Sequence, residues 1–141
     1  NNRDIKYLTL GPHTQWLYEY LFECAVKANE KYKFDIDFVT DPIHYVTYPK
    51  DGGFLAWHQD IGYGRSNQRK LAMTVQLSDP SEYEGGDFQV WIGGDESNIQ
   101  TIPRKKGDIA IFPAYLMHRV TPITRGHRKC LVFWTGGRPL R

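Results

Sequence analysis

The chain has 141 residues, a length that suits one domain with a single core and one principal site. Its 40% hydrophobic, 24% charged and 14% aromatic residues match a soluble globular protein and exclude a disordered one. A formal charge of +2 counts against nucleic acid as a partner, because polyanion binders gather a larger basic excess on one face.

No apolar run approaches the roughly 20 residues that span a bilayer, so no membrane partner is expected. The start Asn1-Asn2-Arg3-Asp4 has no signal-peptide apolar region, which makes the cytoplasm the expected setting. Cys24 and Cys130 lie far apart and form no metal-ligand spacing; they read as two buried free thiols, in keeping with a reducing compartment.

Taken in chain order, Gly11-Pro12 breaks the chain and Thr14 can cap a helix that runs to about Lys31. Trp16, Leu17, Tyr20, Leu21, Cys24, Ala25 and Ala28 fall at helical spacing and predict its apolar stripe. After Tyr32 to Asp41 the chain changes character. Short segments rich in β-branched and aromatic residues predict strands at 43–48, 54–58, 70–77, 87–92, 99–102, 108–112, 118–121 and 128–135. Turn signals separate them, among them Lys50-Asp51-Gly52-Gly53, Gly62 to Gln68, Glu84-Gly85-Gly86 and Thr124-Arg125-Gly126. One helix ahead of many short strands predicts a mainly β jelly roll whose larger sheet is backed by the helix. The expected layout is a single domain over 1–141, with the helix at about 14–31 and the jelly-roll core at about 43–136.

Chemistry concentrates in two places. Trp57-His58-Gln59-Asp60 closes a predicted strand, and strand alternation puts His58 and Asp60 on one face. His118, after Gly107-Asp108-Ile109-Ala110-Ile111-Phe112-Pro113, opens another strand and supplies a third ligand. Two histidines and a carboxylate can occupy one face of an octahedron and leave three positions open, the facial arrangement of non-haem iron. Singly these residues say little, since His-x-Asp is common; the order and spacing of all three carry the reading.

Arg128 opens the segment Arg128-Lys129-Cys130-Leu131-Val132-Phe133-Trp134. If it faces inward, its burial calls for an anion, and its two parallel donors match the distal carboxylate of 2-oxoglutarate. The alternative turns Lys129 inward and Arg128 to solvent. Tyr48 can aim its phenol at the same cosubstrate or pack in the core. The loop from Ile61 to Arg69 follows the first two ligands and suits a lid, with Tyr63 and Arg65 either touching substrate or solvating the loop. Arg104-Lys105-Lys106 reads as a solvated turn, and His13, His44 and His127 lack ligand spacing.

From about Tyr45 to Pro139 the chain resembles the 2-oxoglutarate and iron(II)-dependent dioxygenase superfamily, in its prolyl 4-hydroxylase-like branch of short bacterial and phage proteins. The stretches that carry the likeness are Tyr48 to Asp60, Tyr83-Glu84-Gly85-Gly86-Asp87-Phe88, Lys106 to Pro113, and His118-Arg119-Val120-Thr121-Pro122-Ile123-Thr124-Arg125-Gly126-His127-Arg128. The resemblance implies a double-stranded β-helix, iron on His58, Asp60 and His118, the 2-oxoglutarate distal carboxylate on Arg128, and Tyr48 near that cosubstrate. It further implies dioxygen as co-reactant, ascorbate as a support of activity, and hydroxylation of an unactivated C–H bond with release of succinate and carbon dioxide. A prolyl residue in a peptide or protein is the leading substrate; a free amino acid or other small molecule, oxidative dealkylation of nucleic acid, and a non-catalytic metal-binding jelly roll are the alternatives. Trp134 is assigned a packing role. Collagen-type members commonly carry Lys where this chain has Arg128, so a collagen-like substrate is not implied.

Overall fold

The computed structural model describes residues 2–50, 52–62 and 64–138, apart from the side chains of 64 and 65. In chain order the elements are β1 (Asp4–Leu8), α1 (Gln15–Tyr32), β2 (Phe38–Val39), β3 (Ile43–Tyr48), β4 (Leu55–His58), β5 (Arg69–Gln76), β6 (Tyr83–Gly85), β7 (Phe88–Trp91), β8 (Ile99–Thr101), β9 (Ile109–Pro113), β10 (Met117–Val120), β11 (Ile123–Gly126) and β12 (Arg128–Gly136). A six-stranded sheet runs β1-β3-β12-β5-β9, with β2 paired to β12; a four-stranded sheet runs β4-β10-β7-β8; β11 and β6 form a separate pair. All these pairings are antiparallel, and the fold is the expected jelly roll.

The six-stranded sheet is apolar on both faces because its central strand alternates between two cores. Cys130 and Trp134 of β12 join Val46, Tyr48, Ala72, Phe88, Phe112 and Val120 between the sheets. Leu131 and Phe133 point the other way and meet Tyr18, Leu21 and Ala25 of α1, with Ile43 and Met73. The helix therefore backs the larger sheet. Among the described residues no helix is long and apolar enough to cross a membrane.

Three local expectations need correction. First, the buried stripe of α1 is Tyr18, Leu21 and Ala25, while Trp16 and Tyr20 are 67% and 52% exposed. The Tyr18 hydroxyl turns the helix: it donates to the Leu8 carbonyl and accepts from the Ile43 amide at 3.0 Å, which ties α1 to β1 and β3. Thr14 occupies the N-cap position without a side-chain capping bond; its hydroxyl instead donates to the Thr9 carbonyl at 2.7 Å. Second, β1 precedes the helix outside the expected elements; Asp4-Ile5-Lys6-Tyr7 alternates polar and apolar, but over only four residues of an edge strand that buries no side chain fully.

Third, the segments around Gly85 and Gly126 are strands rather than plain turns. Both glycines have φ +72°, and a Cβ at Gly126 would lie 2.0 Å from the Glu82 carbonyl oxygen. They are glycine because β6 and β11 approach too closely for a side chain. The expected loop at Gly62 to Gln68 contains a short 3-10 helix, Gly64–Gln68.

Candidate active site

β4 and β10 bring two of the sequence-predicted ligands together: His58 and His118 are direct cross-strand partners. A register irregularity separates this pair from Leu55↔Val120, so three steps along β4 match two along β10. That bulge lets Leu55 sit in the core while His58 still faces the space between the sheets. The imidazoles end with centroids 4.1 Å apart.

Each ring is oriented by the same local device. His58 Nδ1 lies 2.8 Å from the Ala56 carbonyl and His118 Nδ1 lies 2.9 Å from the Leu116 carbonyl, both two residues upstream. A carbonyl only accepts, so Nδ1 carries a proton in both rings, and Nε2, the nitrogen turned toward Asp60, is the one left for a metal.

Asp60 does not share a strand face with His58, since β4 ends at His58. It stands in the bend beyond, where its amide donates to the Ala114 carbonyl at 2.8 Å. Its carboxylate is brought within 3.2 Å of His58 Nε2 through Oδ1 and 3.4 Å of His118 Nε2 through Oδ2. Burial alone would raise its pKa, but hydrogen bonds with His118, His58 and Trp134 and the His118 charge hold it well below the usual carboxylate range. One ligand atom from each of His58, Asp60 and His118 can be chosen so that all lie within 4.8 Å of one another. Once a metal takes the place of the Nε2 protons, two imidazoles and an ionised carboxylate on one side of a hollow are a donor set for a divalent transition metal.

Arg128 opens β12 and points inward, only 3% exposed, while Lys129 faces solvent. Its guanidinium lies 5.4 Å from the centre of the Tyr48 ring, and Tyr48 is its direct partner on β3. Nη1 reaches the Cys130 sulfur at 3.6 Å, the Tyr83 hydroxyl also bonds the guanidinium, and Nε has no hydrogen-bond partner. Among the described residues no carboxylate forms an ion pair with it. A buried guanidinium with an idle donor is costly unless an anionic ligand meets it. Tyr48 is 2% exposed, and burial pushes its phenol up to about 12, so it stays a neutral hydroxyl. The triad, Tyr48 and Arg128 line one cavity of about 240 Å³ between the sheets. The residues thus fit both a metal and a carboxylate-bearing cosubstrate.

Sequence reasoning passed over several lining residues. Thr74, His44, Arg3 and Arg69 all border this cavity. Thr74 is a polar residue on the same face as Ala72 within the apolar run Leu71 to Val75, and His44 shares a strand face with Tyr48; Arg3 has no local signal. Trp134 packs in the core as expected, but its Nε1 also donates to Asp60 Oδ2 at 2.9 Å. Tyr63 and the side chain of Arg65, the candidate substrate contacts, lie outside the described residues. A wider hollow of about 1040 Å³ runs along α1 past Tyr18 and Phe22, on the opposite face of the six-stranded sheet from the triad.

Residues 43–136 match the family described as the 2OG-Fe(II) oxygenase superfamily. A PKHD-type hydroxylase of Synechococcus sp. is 34% identical over 83 residues, 59% of this chain and 36% of that protein. A PKHD-type hydroxylase of Pseudomonas putida is 34% identical over 92 residues, 61% of this chain and 39% of that protein. The chain thus spans well under half the length of these curated relatives. Among solved structures, a Pseudomonas putida prolyl-4-hydroxylase superposes with a TM-score of 0.76 at 16% identity, covering 96% of this chain and 72% of that one. A Trichoplax adhaerens prolyl hydroxylase in complex with a hypoxia inducible factor peptide fragment gives 0.70 at 16%, covering 95% and 62%. At such identities the likeness shows a shared fold.

Proposed function

The chain belongs to the 2OG-Fe(II) oxygenase superfamily, whose cofactor and cosubstrates are Fe(II), 2-oxoglutarate and dioxygen, and on that premise we propose that it is a hydroxylase of an unactivated C–H bond. The observation that carries the reading is one cavity holding both the His58-Asp60-His118 cluster and the buried Arg128, which pairs with no carboxylate among the described residues. His58, Asp60 and His118 would hold the iron, and Arg128 with the Tyr48 hydroxyl would take the distal carboxylate of 2-oxoglutarate. Bound there, the metal and cosubstrate supply dioxygen activation coupled to decarboxylation: substrate C–H, 2-oxoglutarate and dioxygen become substrate C–OH, succinate and carbon dioxide.

The protein's contribution is position and exclusion of water. Both Nδ1 protons are committed to carbonyls, so each Nε2 is aimed before metal arrives. Phe88 and Phe112 stand edge-on to His118, with centroids 6.0 and 4.8 Å away, and keep that side of the site apolar. No side chain has to move a proton. The substrate class we propose is a prolyl residue in a peptide or protein; the names of the hydroxylase relatives and prolyl hydroxylase neighbours support it.

The test is anaerobic loading with Fe(II) and 2-oxoglutarate, followed by air, ascorbate and proline-containing peptides. A 2-oxoglutarate-dependent visible band and peptide-stimulated succinate, both lost in His58→Ala and Asp60→Ala, are expected. Succinate indifferent to peptides would move the substrate to a free amino acid or another small molecule. Neither band nor succinate from the wild type would overturn the oxygenase reading.

A further inference from the structure

Asp60 is gripped from three directions, and two of the grips lead to one residue. Its amide donates to the Ala114 carbonyl, its carbonyl accepts from Arg69 Nη1 at 3.2 Å, and its Oδ2 accepts from Trp134 Nε1 at 2.9 Å. The Arg69 guanidinium carbon lies 4.0 Å from the centre of the Trp134 ring, close enough for a cation–π contact on the ring that holds the carboxylate. Two more donors of the same guanidinium go to Asp41: Nε to Oδ1 at 3.0 Å and Nη2 to Oδ2 at 2.7 Å. Asp41 lies between β2 and β3, so the fork ties the Asp60 bend to a separate part of the sheet. Guanidinium suits the task because its donors are fixed in one plane; a lysine ammonium would have to choose among these partners.

We infer that Arg69 is a positioning residue for the metal centre, holding Asp60 by its backbone carbonyl and, through the Trp134 ring, by its carboxylate, with Asp41 as the anchor of the clamp. The inference rests on the assignment of His58, Asp60 and His118 as metal ligands. An aspartate in a bend has backbone freedom that the two histidines, locked in adjacent strands, lack. The clamp removes that freedom and leaves one carboxylate oxygen facing a hydrogen bond while the other is offered to the metal. A partner of this kind affects metal affinity by tenfold or more when removed.

The test compares wild type with Arg69→Lys and Arg69→Met, using metal-free protein titrated anaerobically with Co(II) and followed by the cobalt absorption bands. Circular dichroism and thermal unfolding of the metal-free proteins run alongside. The expected result is a Co(II) Kd raised about tenfold in Arg69→Met, with altered band positions, and an intermediate Kd in Arg69→Lys, which keeps the cation over Trp134 but not the fork. Arg69→Lys retains the charge and stem, so it keeps the test open should Arg69→Met fold poorly. Unchanged Kd and bands in a folded variant, with only the unfolding temperature altered, would make Arg69 a structural residue and overturn this inference alone. Failure of wild type to bind one Co(II) would overturn the ligand assignment first, and the inference with it.

Discussion

Trp134 Nε1 and Asp60 Oδ2, 74 positions apart in the chain, are joined by a 2.9 Å hydrogen bond across the interior of the jelly roll. The indole is a donor only, so the pairing requires an ionised or acceptor-side carboxylate and gives Asp60 a fixed rotamer before any metal binds. Trp134→Phe keeps an aromatic ring in the core and beneath Arg69 but removes the N–H together with part of the indole. We expect Co(II) affinity to fall about tenfold with the fold intact. Titration of the metal-free variant beside circular dichroism checks this, and an unchanged Kd would show that the bond is incidental.

Arg128 separates stability from binding. Its burial with no carboxylate partner among the described residues is a cost that the metal-free, ligand-free protein bears. Arg128→Met should therefore leave thermal stability unchanged or raised while weakening 2-oxoglutarate binding at least about thirtyfold, the loss expected when one member of a buried charged pair is truncated. Arg128→Lys should fall between, since it restores charge without two parallel donors. Titration of the 2-oxoglutarate-dependent visible band under nitrogen measures the affinity, and differential scanning calorimetry the stability. A large destabilisation of Arg128→Met with unaltered cosubstrate affinity would return Arg128 to a structural role.

What was legible in the sequence follows from how far each signal reaches. Arg128 inward and Lys129 outward were open alternatives, and the apolar company of Cys130 and Trp134 on the Arg128 face is what resolves them in the fold. The two histidines were readable because strands carry their orientation locally. Asp60 reaches the cavity of the two histidines for a reason strand alternation does not supply: the chain leaves the strand at His58, and its place is set by Ala114, Arg69 and Trp134. Helical spacing alone places Trp16 and Tyr20 in the stripe because several rotations satisfy it, and the Tyr18 hydroxyl bonds choose one that leaves both exposed. Gly85 and Gly126 read as turns because a glycine in a close backbone crossing looks like a glycine in a turn.

Tyr48 offers a clean separation of packing from chemistry. Its ring is buried with Val46 and Cys130 in the inter-sheet core, while the residue also lines the Arg128 cavity and its hydroxyl is hydrogen-bonded with Arg3, another lining residue. Tyr48→Phe preserves the ring. We expect thermal stability to change little and 2-oxoglutarate Kd to rise several-fold, in line with the loss of one hydrogen bond of about 1 kcal/mol. Equal Kd values for wild type and variant would confine Tyr48 to packing.

Asp41 predicts a pH dependence of stability that is separable from the metal site. Burial alone would raise its pKa, but the Arg69 and Thr40 hydrogen bonds and the Arg69 charge outweigh that and leave it below its ordinary value. A carboxyl whose folded value lies below its unfolded value of about 3.9 releases its proton more readily when folded, so it stabilises the protein above that pH. The contribution shrinks as pH falls through the folded value, where both states are protonated. Asp41→Asn lacks it throughout. In urea unfolding of metal-free protein, the gap between wild type and Asp41→Asn should therefore be widest near neutrality and close progressively below about pH 4. A gap that stays constant across this range would mean that Asp41 acts through packing or neutral hydrogen bonds, and that the Arg69 fork holds without its charge.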